Sequence, residues 1–233
     1  MYGCRPSRTP ATLPLCAASV TRRLRRLYQR AFEHFGPLHW WPGDSPFEVC
    51  VGAILTQNTA WTNVEKAITN LKARRFLSVR GMHLVDEVLL ANAIRPSGYY
   101  NQKAKKLKAF CEYVTRRHQG SLRVMLSQPI DTLREELLSI NGVGPETADS
   151  IILYAAQQPV FVVDAYTRRI LYRMGLTAED AAYHELQDLF HARLPRDTAY
   201  YNEFHAQIVY VGKEFCRKSK PRCDRCPVRL RSR

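Results

Sequence analysis

Apolar residues recur at intervals of three and four along most of this sequence, and that period constrains its fold more than any other feature. The clearest example is residues 21–35, where leucine, alanine and aromatic side chains alternate with five arginines. This spacing predicts an amphipathic helix with a basic outer face. The same period predicts helices within residues 47–55, 64–71 and 107–114, and further helices are expected at 132–139, 146–157, 165–174, 182–194 and 199–215. The one run of strand-forming residues, 160–163, is too short and isolated for a sheet, so we predict an all-α fold.

The balance of charge indicates an anionic partner. The 233 residues include 35 Lys and Arg against 21 Asp and Glu, which gives a formal net charge of +14. Such an excess attracts a polyanion over long range, and nucleic acid is the leading candidate. A merely soluble protein or a binder of anionic lipid can have the same composition. No apolar stretch reaches the roughly 18 residues that span a bilayer, so membrane-spanning proteins are excluded.

The cysteines and the N-terminal residues indicate the compartment. Seven cysteines form an odd, scattered set, which is not the framework of a disulfide-rich secreted protein. Residues 1–19 contain three prolines and no continuous apolar core of signal-peptide length. We therefore expect a flexible tail at 1–19 and a cytoplasmic protein.

A glycine-containing turn joins two predicted helices at residues 137–148, which read LLSINGVGPETA. Gly142 and Gly144 permit backbone geometries and close approaches that a β-carbon would block, and Pro145 suits the first turn of a helix. The resulting helix N-terminus offers N–H groups and a positive dipole end to a phosphate. We therefore predict a nucleic-acid contact at Gly142, Val143 and Gly144. The alternative is a plain turn between two helices.

A carboxylate follows the apolar run 160–163. Asp164 directly precedes a predicted helix that begins at Ala165, and Asp is a preferred N-cap residue. A cap at the end of an apolar segment is held rigidly and faces whatever cleft lies at the helix N-terminus. Asp164 could therefore be a helix cap alone, or a cap and a catalytic group.

Together these residues carry a resemblance to a known family. The segment 137–171, LLSINGVGPETADSIILYAAQQPVFVVDAYTRRIL, resembles the helix-hairpin-helix, Gly/Pro-rich loop and aspartate of the endonuclease III superfamily of DNA glycosylases. The likeness extends to residues 53–59 and 98–104 and covers roughly residues 40–226. It implies a six-helix domain at 46–157 and a second helical domain formed by 20–45 and 158–233, with the active cleft between them. It also implies double-stranded DNA with a damaged base as partner, and we expect a monomer associated with the nucleoid.

The resemblance also implies a reaction. In family members that cut the DNA backbone, a lysine stands where this sequence has Glu146, and a glutamate cannot form the Schiff base. The chain is therefore expected to be monofunctional, with Asp164 stabilising the oxocarbenium character of the sugar and orienting water, and with Lys103 contacting DNA. One alternative is an endonuclease III-like glycosylase and lyase for oxidised pyrimidines or mismatched thymine. Another is a DNA-binding module without catalysis.

Three further motifs bear on the base that would be excised. The family places its wedge at residues 56–59, so Gln57 or Asn58 could hydrogen-bond the orphaned partner base, or these amides could cap the preceding helix. The motifs WWP, LTQNTAW and RPSGYYNQKAK resemble the 3-methyladenine glycosylases of this superfamily, which implies a stacking pocket for alkylated purines. Its candidate residues are Trp40, Trp41, Trp61 and Glu146, although tryptophans can also be core residues.

The C-terminal cysteines have metal-ligand spacing. Cys216, Cys223 and Cys226 match the first three positions of the superfamily's [4Fe–4S] pattern, and the fourth position falls on Ser232. We expect a cluster or its relic here, with zinc as an alternative. The eight basic residues around these cysteines suit phosphate contact, or they form a frayed basic end.

Overall fold

The computed structural model describes residues 17–229. In that range the backbone forms helices, turns and extended segments without any β-strand, which confirms the predicted all-α fold. In chain order, its α-helices are α1 (Ala17–Phe35), α2 (Pro46–Leu55), α3 (Trp61–Ala73), α4 (Val79–Leu84), α5 (Glu87–Ala93), α6 (Tyr100–His118), α7 (Leu122–Leu126), α8 (Ile130–Ser139), α9 (Pro145–Ser150), α10 (Ala165–Arg173), α11 (Tyr183–His191) and α12 (Thr198–Glu214). A π-helical segment, Ile151–Ala155, continues α9, and 3₁₀ turns occupy Arg95–Ser97 and Cys223–Arg225. None of these helices combines the length and hydrophobicity needed to cross a bilayer.

Helix α1 begins earlier than its sequence pattern predicted. It starts at Ala17, so residues 17–19, which we assigned to the flexible tail, are helical, whereas residues 1–16 lie outside the described range. The earlier start places Val20 one turn before Leu24 on the buried face of the helix. Burial of that extra apolar side chain accounts for the additional turn.

The described chain divides into two compact units. One, here called the hairpin unit, is Trp41–Val160 and contains α2–α9 with the π-helical segment. The other, here called the aspartate unit, combines the chain up to Trp40 with the chain from Phe161 onward, and contains α1 and α10–α12.

The hairpin unit is built around α2 and α6. Helix α6 packs against α2, α4 and α5, and its apolar residues Leu107, Phe110 and Val114 have no solvent exposure. Helix α2 is buried on every side, since each residue from Phe47 to Leu55 is inaccessible or nearly so. A helix that is buried on all sides forms the centre of a core.

The aspartate unit is built around α12, which packs against α1 and α10. The Phe161 ring stacks on Phe190 with centroids 3.6 Å apart, and Tyr201 and Phe204 meet it edge-on. All four rings are fully buried. The extended segment that leads to Asp164 therefore runs through the core of this unit, although it forms no strand.

Candidate functional site

Asp164 is both a helix cap and a candidate catalytic group. It is the N-cap of α10, and its Oδ1 accepts hydrogen bonds from Thr167 N at 2.7 Å and Thr167 Oγ1 at 2.9 Å. Its other oxygen, Oδ2, lies 3.6 Å from Nε2 of the buried His205 on α12, which is ion-pair range but longer than a normal hydrogen bond. The cap thus fixes one carboxylate oxygen and leaves the second directed towards His205.

The surroundings of Asp164 favour its ionised form. Burial opposes ionisation, but the interaction with the His205 ring, together with the two hydrogen bonds from Thr167, outweighs burial and lowers the pKa of Asp164. The side chain is only 12% exposed, so its charge acts in a medium that screens it weakly. This carboxylate is therefore suited to stabilising a positive charge that develops beside it.

Helix α11 holds the extended segment that delivers Asp164. The Phe161 amide donates to His191 Nε2 at 2.9 Å, and the Phe161 carbonyl accepts from Gln187 Nε2 at 2.7 Å. The Val163 amide donates to the Tyr183 hydroxyl at 3.3 Å. Three side chains of one helix therefore form the hydrogen bonds that a neighbouring β-strand would otherwise supply to this backbone. We did not predict them, although their spacing of four residues places all three on one face of α11.

Lys213 brings a positive charge to the neighbourhood of Asp164. Its Nζ lies 5.6 Å from the centroid of the Trp40 ring and 5.8 Å from that of Tyr210, which is cation–π range. Partial burial lowers the pKa of Lys213, and the charge of Asp164 counteracts that effect. Trp40, a predicted pocket residue, therefore lies in the aspartate unit with a cation over its ring.

The predicted helix-hairpin-helix is present in the hairpin unit. Helix α8 ends at Ser139, and Gly144 is the N-cap of α9, with Pro145 in its first turn. Gly142 has φ +88°, and a β-carbon there would lie 2.3 Å from Cγ of Lys106. Only glycine meets both constraints without strain.

Within the hairpin turn, Val143 behaves differently from its two neighbours. Its side chain is buried, and its amide already donates to the Ile140 carbonyl at 3.0 Å. The prediction that Val143 contacts DNA is therefore corrected: it closes the turn instead. Gly142 is half-buried and Gly144 is exposed, so the two glycines remain the accessible backbone of the turn.

An ion pair with a buried carboxylate links the two helices of the hairpin. Arg134 on α8 donates through Nε to Asp149 Oδ1 at 2.7 Å and through Nη2 to Oδ2 at 3.3 Å, and Asp149 has no solvent exposure. A two-point contact of this kind fixes the orientation of both side chains. The hairpin is therefore held rigidly behind its turn.

Two of the predicted DNA contacts are used inside the protein. Lys103 is only 2% exposed, and its ammonium donates to the Leu55 and Ser97 carbonyls at 2.8 and 2.7 Å, so the prediction that it contacts DNA is wrong. Burial, together with the charge of Lys106, lowers the pKa of Lys103 to about 8. Its role is to satisfy carbonyls at the end of α2 and in the 3₁₀ turn.

Gln57, the other such residue, braces the hairpin. Its Nε2 donates to the Gly142 carbonyl at 3.2 Å and to Thr147 Oγ1 at 2.9 Å, while its Oε1 accepts from Lys106 Nζ at 2.5 Å. Both polar atoms of the Gln57 amide are therefore hydrogen-bonded within the protein in this conformation. Asn58, beside it, is exposed and left-handed with φ 55°, so the structure presents Asn58 rather than Gln57 at the tip of the loop.

Two of the three tryptophans meet in the hairpin unit. Trp41 and Trp61 pack edge-to-face with ring centroids 5.0 Å apart, and Tyr154 of the π-helical segment lies 4.9 Å from Trp41. We call these three residues the aromatic cluster. Trp41 and Trp61 are half-buried, and Gly52 allows their approach because a β-carbon there would touch both rings at 3.4 Å. The sequence did not point to Tyr154, and Glu146 lies exposed in the first turn of α9.

The three C-terminal cysteines occupy the loop that follows α12. Arg173 lies 3.4 Å from Cys216 Sγ, and Arg169 donates to the Cys216 carbonyl at 2.6 Å. Among residues 17–229, no three His, Cys, Asp or Glu side chains come together in a way that could hold a metal ion. The donor set Cys216, Cys223 and Cys226 suits iron chemically, and Ser232, at the fourth position of the family pattern, lies outside the described residues.

Comparison with known proteins agrees with this geometry. Residues 51–196 match the family described as HhH-GPD superfamily base excision DNA repair protein. A protein of Methanocaldococcus jannaschii, named as a candidate DNA repair glycosylase, is 48% identical over 206 residues, which is 88% of this chain and 93% of the relative.

Two solved structures are also similar. The Helicobacter pylori 3-methyladenine DNA glycosylase MagIII, bound to 1,N6-ethenoadenine, is 30% identical with a TM-score of 0.73 over 84% of this chain and 97% of that protein. An endonuclease III trapped on DNA is 22% identical with a TM-score of 0.77 over 89% and 93% of the two chains, which supports the fold alone. The match to the family over more than half of the sequence, with the hairpin and Asp164 in place, means that this chain belongs to the HhH-GPD superfamily of base excision DNA glycosylases.

Proposed function

We propose that this chain is a monofunctional DNA glycosylase that hydrolyses the N-glycosidic bond of a flipped-out alkylated purine, such as 3-methyladenine. The observation that carries the proposal is the largely buried carboxylate of Asp164, which caps α10 with one oxygen fixed by Thr167. The hairpin, whose glycines are accessible, supplies a backbone contact for a DNA phosphate.

The role of Asp164 follows from its charge and its rigidity. As the base departs, positive charge develops on the deoxyribose, and a fixed carboxylate stabilises that charge more in the transition state than in the ground state. Thr167 keeps Oδ1 in place, and Oδ2 can accept a hydrogen bond from the attacking water. An alkylated purine carries a positive charge and leaves as a neutral base, so the reaction needs no residue to protonate it.

The residue at the lyase position supports the monofunctional assignment. Glu146 in the first turn of α9 stands where lyase members of the family carry a lysine. A carboxylate cannot form the imine with the sugar that precedes β-elimination. The product is then an abasic site in an intact strand.

The base class is supported by two independent facts. Trp41 and Trp61 of the aromatic cluster are half-buried, and aromatic rings bind cationic, electron-poor bases well. The similarity to MagIII extends over most of both chains at 30% identity. Oxidised pyrimidines and mismatched thymine are the substrates of the alternative, endonuclease III-like function.

Base release from duplexes that each carry one lesion tests the proposal. We expect release of 3-methyladenine or a related alkylated purine, strand breaks only after alkali, and no covalent adduct after borohydride. Release of oxidised pyrimidines instead, or efficient borohydride trapping, would favour the alternative. No release from any duplex, with duplex binding intact, would favour a non-catalytic DNA-binding module.

The catalytic assignment has a matched control within the same unit. Asp164→Asn keeps a residue that caps helices well, so we expect intact folding and duplex binding with base release abolished. Asp197 is also an N-cap, accepting from Tyr200 N at 2.7 Å, and Asp197→Asn should leave base release unchanged. Base release by Asp164→Asn within tenfold of wild type would refute the assignment.

A cytoplasmic monomer with a [4Fe–4S] cluster in the C-terminal loop completes the proposal. The three cysteines match the family spacing, and the cluster's part would be structural, holding a basic loop in place for DNA. Iron analysis of the purified protein tests the cluster, and sedimentation tests the monomer.

A further inference from the structure

The start of the chain carries an unusual excess of positive charge. Seven arginines precede Glu33, which is the first acidic residue of the sequence. Five of them lie on α1, and that helix contains no lysine. Neither the proposed reaction nor the hairpin makes use of this charge.

Two of the α1 arginines have a structural task. Arg23 Nη1 donates to the Met174 carbonyl at 3.1 Å, at the C-cap of α10, and Arg30 Nη1 donates to the Arg229 carbonyl at 3.0 Å. Each satisfies a carbonyl far along the chain within the aspartate unit. These contacts explain why both residues are only half-exposed.

The other three arginines share one face of the helix. Arg22, Arg25 and Arg26 are exposed and stand three and four residues apart, so their guanidinium groups repel one another. Ala18, Thr21 and Gln29 lie on the same side of α1. Within residues 17–229 none of the three arginines makes an ion pair, and residues 1–16 and 230–233 contain no Asp or Glu.

We propose that Arg22, Arg25 and Arg26, here called the α1 arginine face, bind the phosphodiester backbone of duplex DNA. Guanidinium groups match phosphate oxygens with paired hydrogen bonds, and a polyanion removes the repulsion among the three charges. This surface would add sequence-independent affinity for a DNA duplex.

The structure favours DNA over an anionic membrane as the occupant. A helix that lies on a lipid surface must insert its apolar face. On α1 that face, formed by Val20, Leu24, Leu27 and Ala31, is buried in the core of the aspartate unit. The helix can therefore present its arginines to a polyanion, but it has no apolar side left for lipid.

The test removes the three charges and measures how DNA affinity depends on salt. Each phosphate contact contributes about 0.9 to the slope of log affinity against log salt. The triple variant with Arg22→Gln, Arg25→Gln and Arg26→Gln should therefore have a salt slope that is shallower by up to about 2.7. Between 50 and 200 mM salt, the DNA affinity of the wild type should then fall roughly 40-fold more than that of the variant. The probe is an undamaged 20-base-pair duplex, followed by fluorescence anisotropy.

The control is a variant that loses three positive charges from a different surface of the protein. Arg74, Arg80 and Arg123 are exposed arginines of the hairpin unit, and their combined change to Gln alters net charge equally. If both triple variants flatten the slope alike, the effect is general charge and the α1 arginine face is refuted. Loss of binding to phosphatidylserine vesicles with unchanged DNA affinity would refute it as well.

This inference can fail independently of the proposed reaction. Because the α1 arginine face does not include Asp164, the Arg22/Arg25/Arg26 variant should need more protein for half-maximal base release, whereas Asp164→Asn should remove base release at every protein concentration. A protein with the expected salt slope but no base release would overturn the glycosylase proposal and leave this surface standing. An unchanged salt slope in the triple variant, with normal base release by the wild type, would overturn the α1 arginine face and leave the glycosylase proposal standing.

Discussion

Gly142→Ala should destabilise the hairpin by two separable effects. The position has φ +88°, which an L-residue adopts at a cost of about 1–2 kcal/mol. The new β-carbon would also lie 2.3, 2.6 and 2.9 Å from Cγ, Cδ and Cε of Lys106. That side chain must move, and its 2.5 Å hydrogen bond to Gln57 Oε1 is then lost.

The second effect has a magnitude of its own. A hydrogen bond with a charged partner contributes about 1.5–3 kcal/mol, and the half-buried position of Lys106 places this one at the lower end. The total for Gly142→Ala is therefore about 2.5–4 kcal/mol in the free energy of unfolding. Movement of Lys106 also frees Gln57, which supports the turn from the other side.

Gly120 provides a matched control for this experiment. It lies in the same unit with φ +78°, but a β-carbon there would meet nothing within 4 Å. Gly120→Ala should therefore show the backbone cost alone. Urea unfolding of both variants, with affinity for an undamaged duplex measured in parallel, separates the two effects.

The comparison has a clear negative outcome. If Gly142→Ala is no more destabilising than Gly120→Ala, the contact between Lys106 and the hairpin contributes nothing. In the double variant Gly142→Ala with Lys106→Ala, the clash is gone, so the second alanine should cost less than it does in the wild-type background. Simple additivity of the two changes would likewise contradict the proposed coupling.

Three other predictions follow from the same contacts. Gln187→Leu leaves the buried Phe161 carbonyl without this hydrogen bond, so it should lower the free energy of unfolding by about 1–3 kcal/mol and slow base release. Asn70→Ala removes a comparable hydrogen bond to a carbonyl and should lower stability alone. Equal base release per folded molecule in the two variants would contradict this prediction. The pKa of Lys103 is about 8, so between pH 8 and 10.5 the folded protein binds fewer protons than the unfolded chain and stability should rise with pH. Lys103→Met should remove that rise in urea midpoints, and an identical pH dependence in both proteins would refute it. Anaerobically purified protein should be brown and contain iron. Colourless, iron-free protein that gains colour on Ser232→Cys would show that serine at the fourth ligand position prevents the cluster from binding.

The long helices were predictable from sequence because their apolar period extends over several turns. Helices α4, α5 and α7 were missed, and they contain only six, seven and five residues. A period of 3.6 cannot be recognised over so short a stretch, and these helices depend instead on their caps. Ser78, Asp86 and Ser121 each accept a hydrogen bond from the first turn that follows.

The error at Lys103 was avoidable from the sequence. Lys103 stands four and seven residues before Leu107 and Phe110, which places it on the buried face of α6. Residue type outweighed position in our prediction, since a lysine is rarely buried. The carbonyls that it satisfies, Leu55 and Ser97, come from other elements, so no local pattern could have identified them.

Asp164 itself was predictable, but the groups that control it were not. The apolar run and the cap position are local signals, whereas His205 belongs to a distant helix and meets the carboxylate only in the folded chain. Residues 161–163 have the composition of a strand, yet within residues 17–229 no strand pairs with them.

An extended segment buried without a sheet must find partners for its backbone, because an unsatisfied buried amide or carbonyl costs about 1–3 kcal/mol. Here the partners are Tyr183, Gln187 and His191, which face the segment from a single helix. Polar residues spaced by four on a helix near an apolar run are thus a sequence signal for this arrangement. Since Asp164 directly follows the segment, the hydrogen bonds that satisfy the backbone of the segment also fix the position of the carboxylate, and the geometry of the proposed catalytic site depends on α11 as much as on the aspartate.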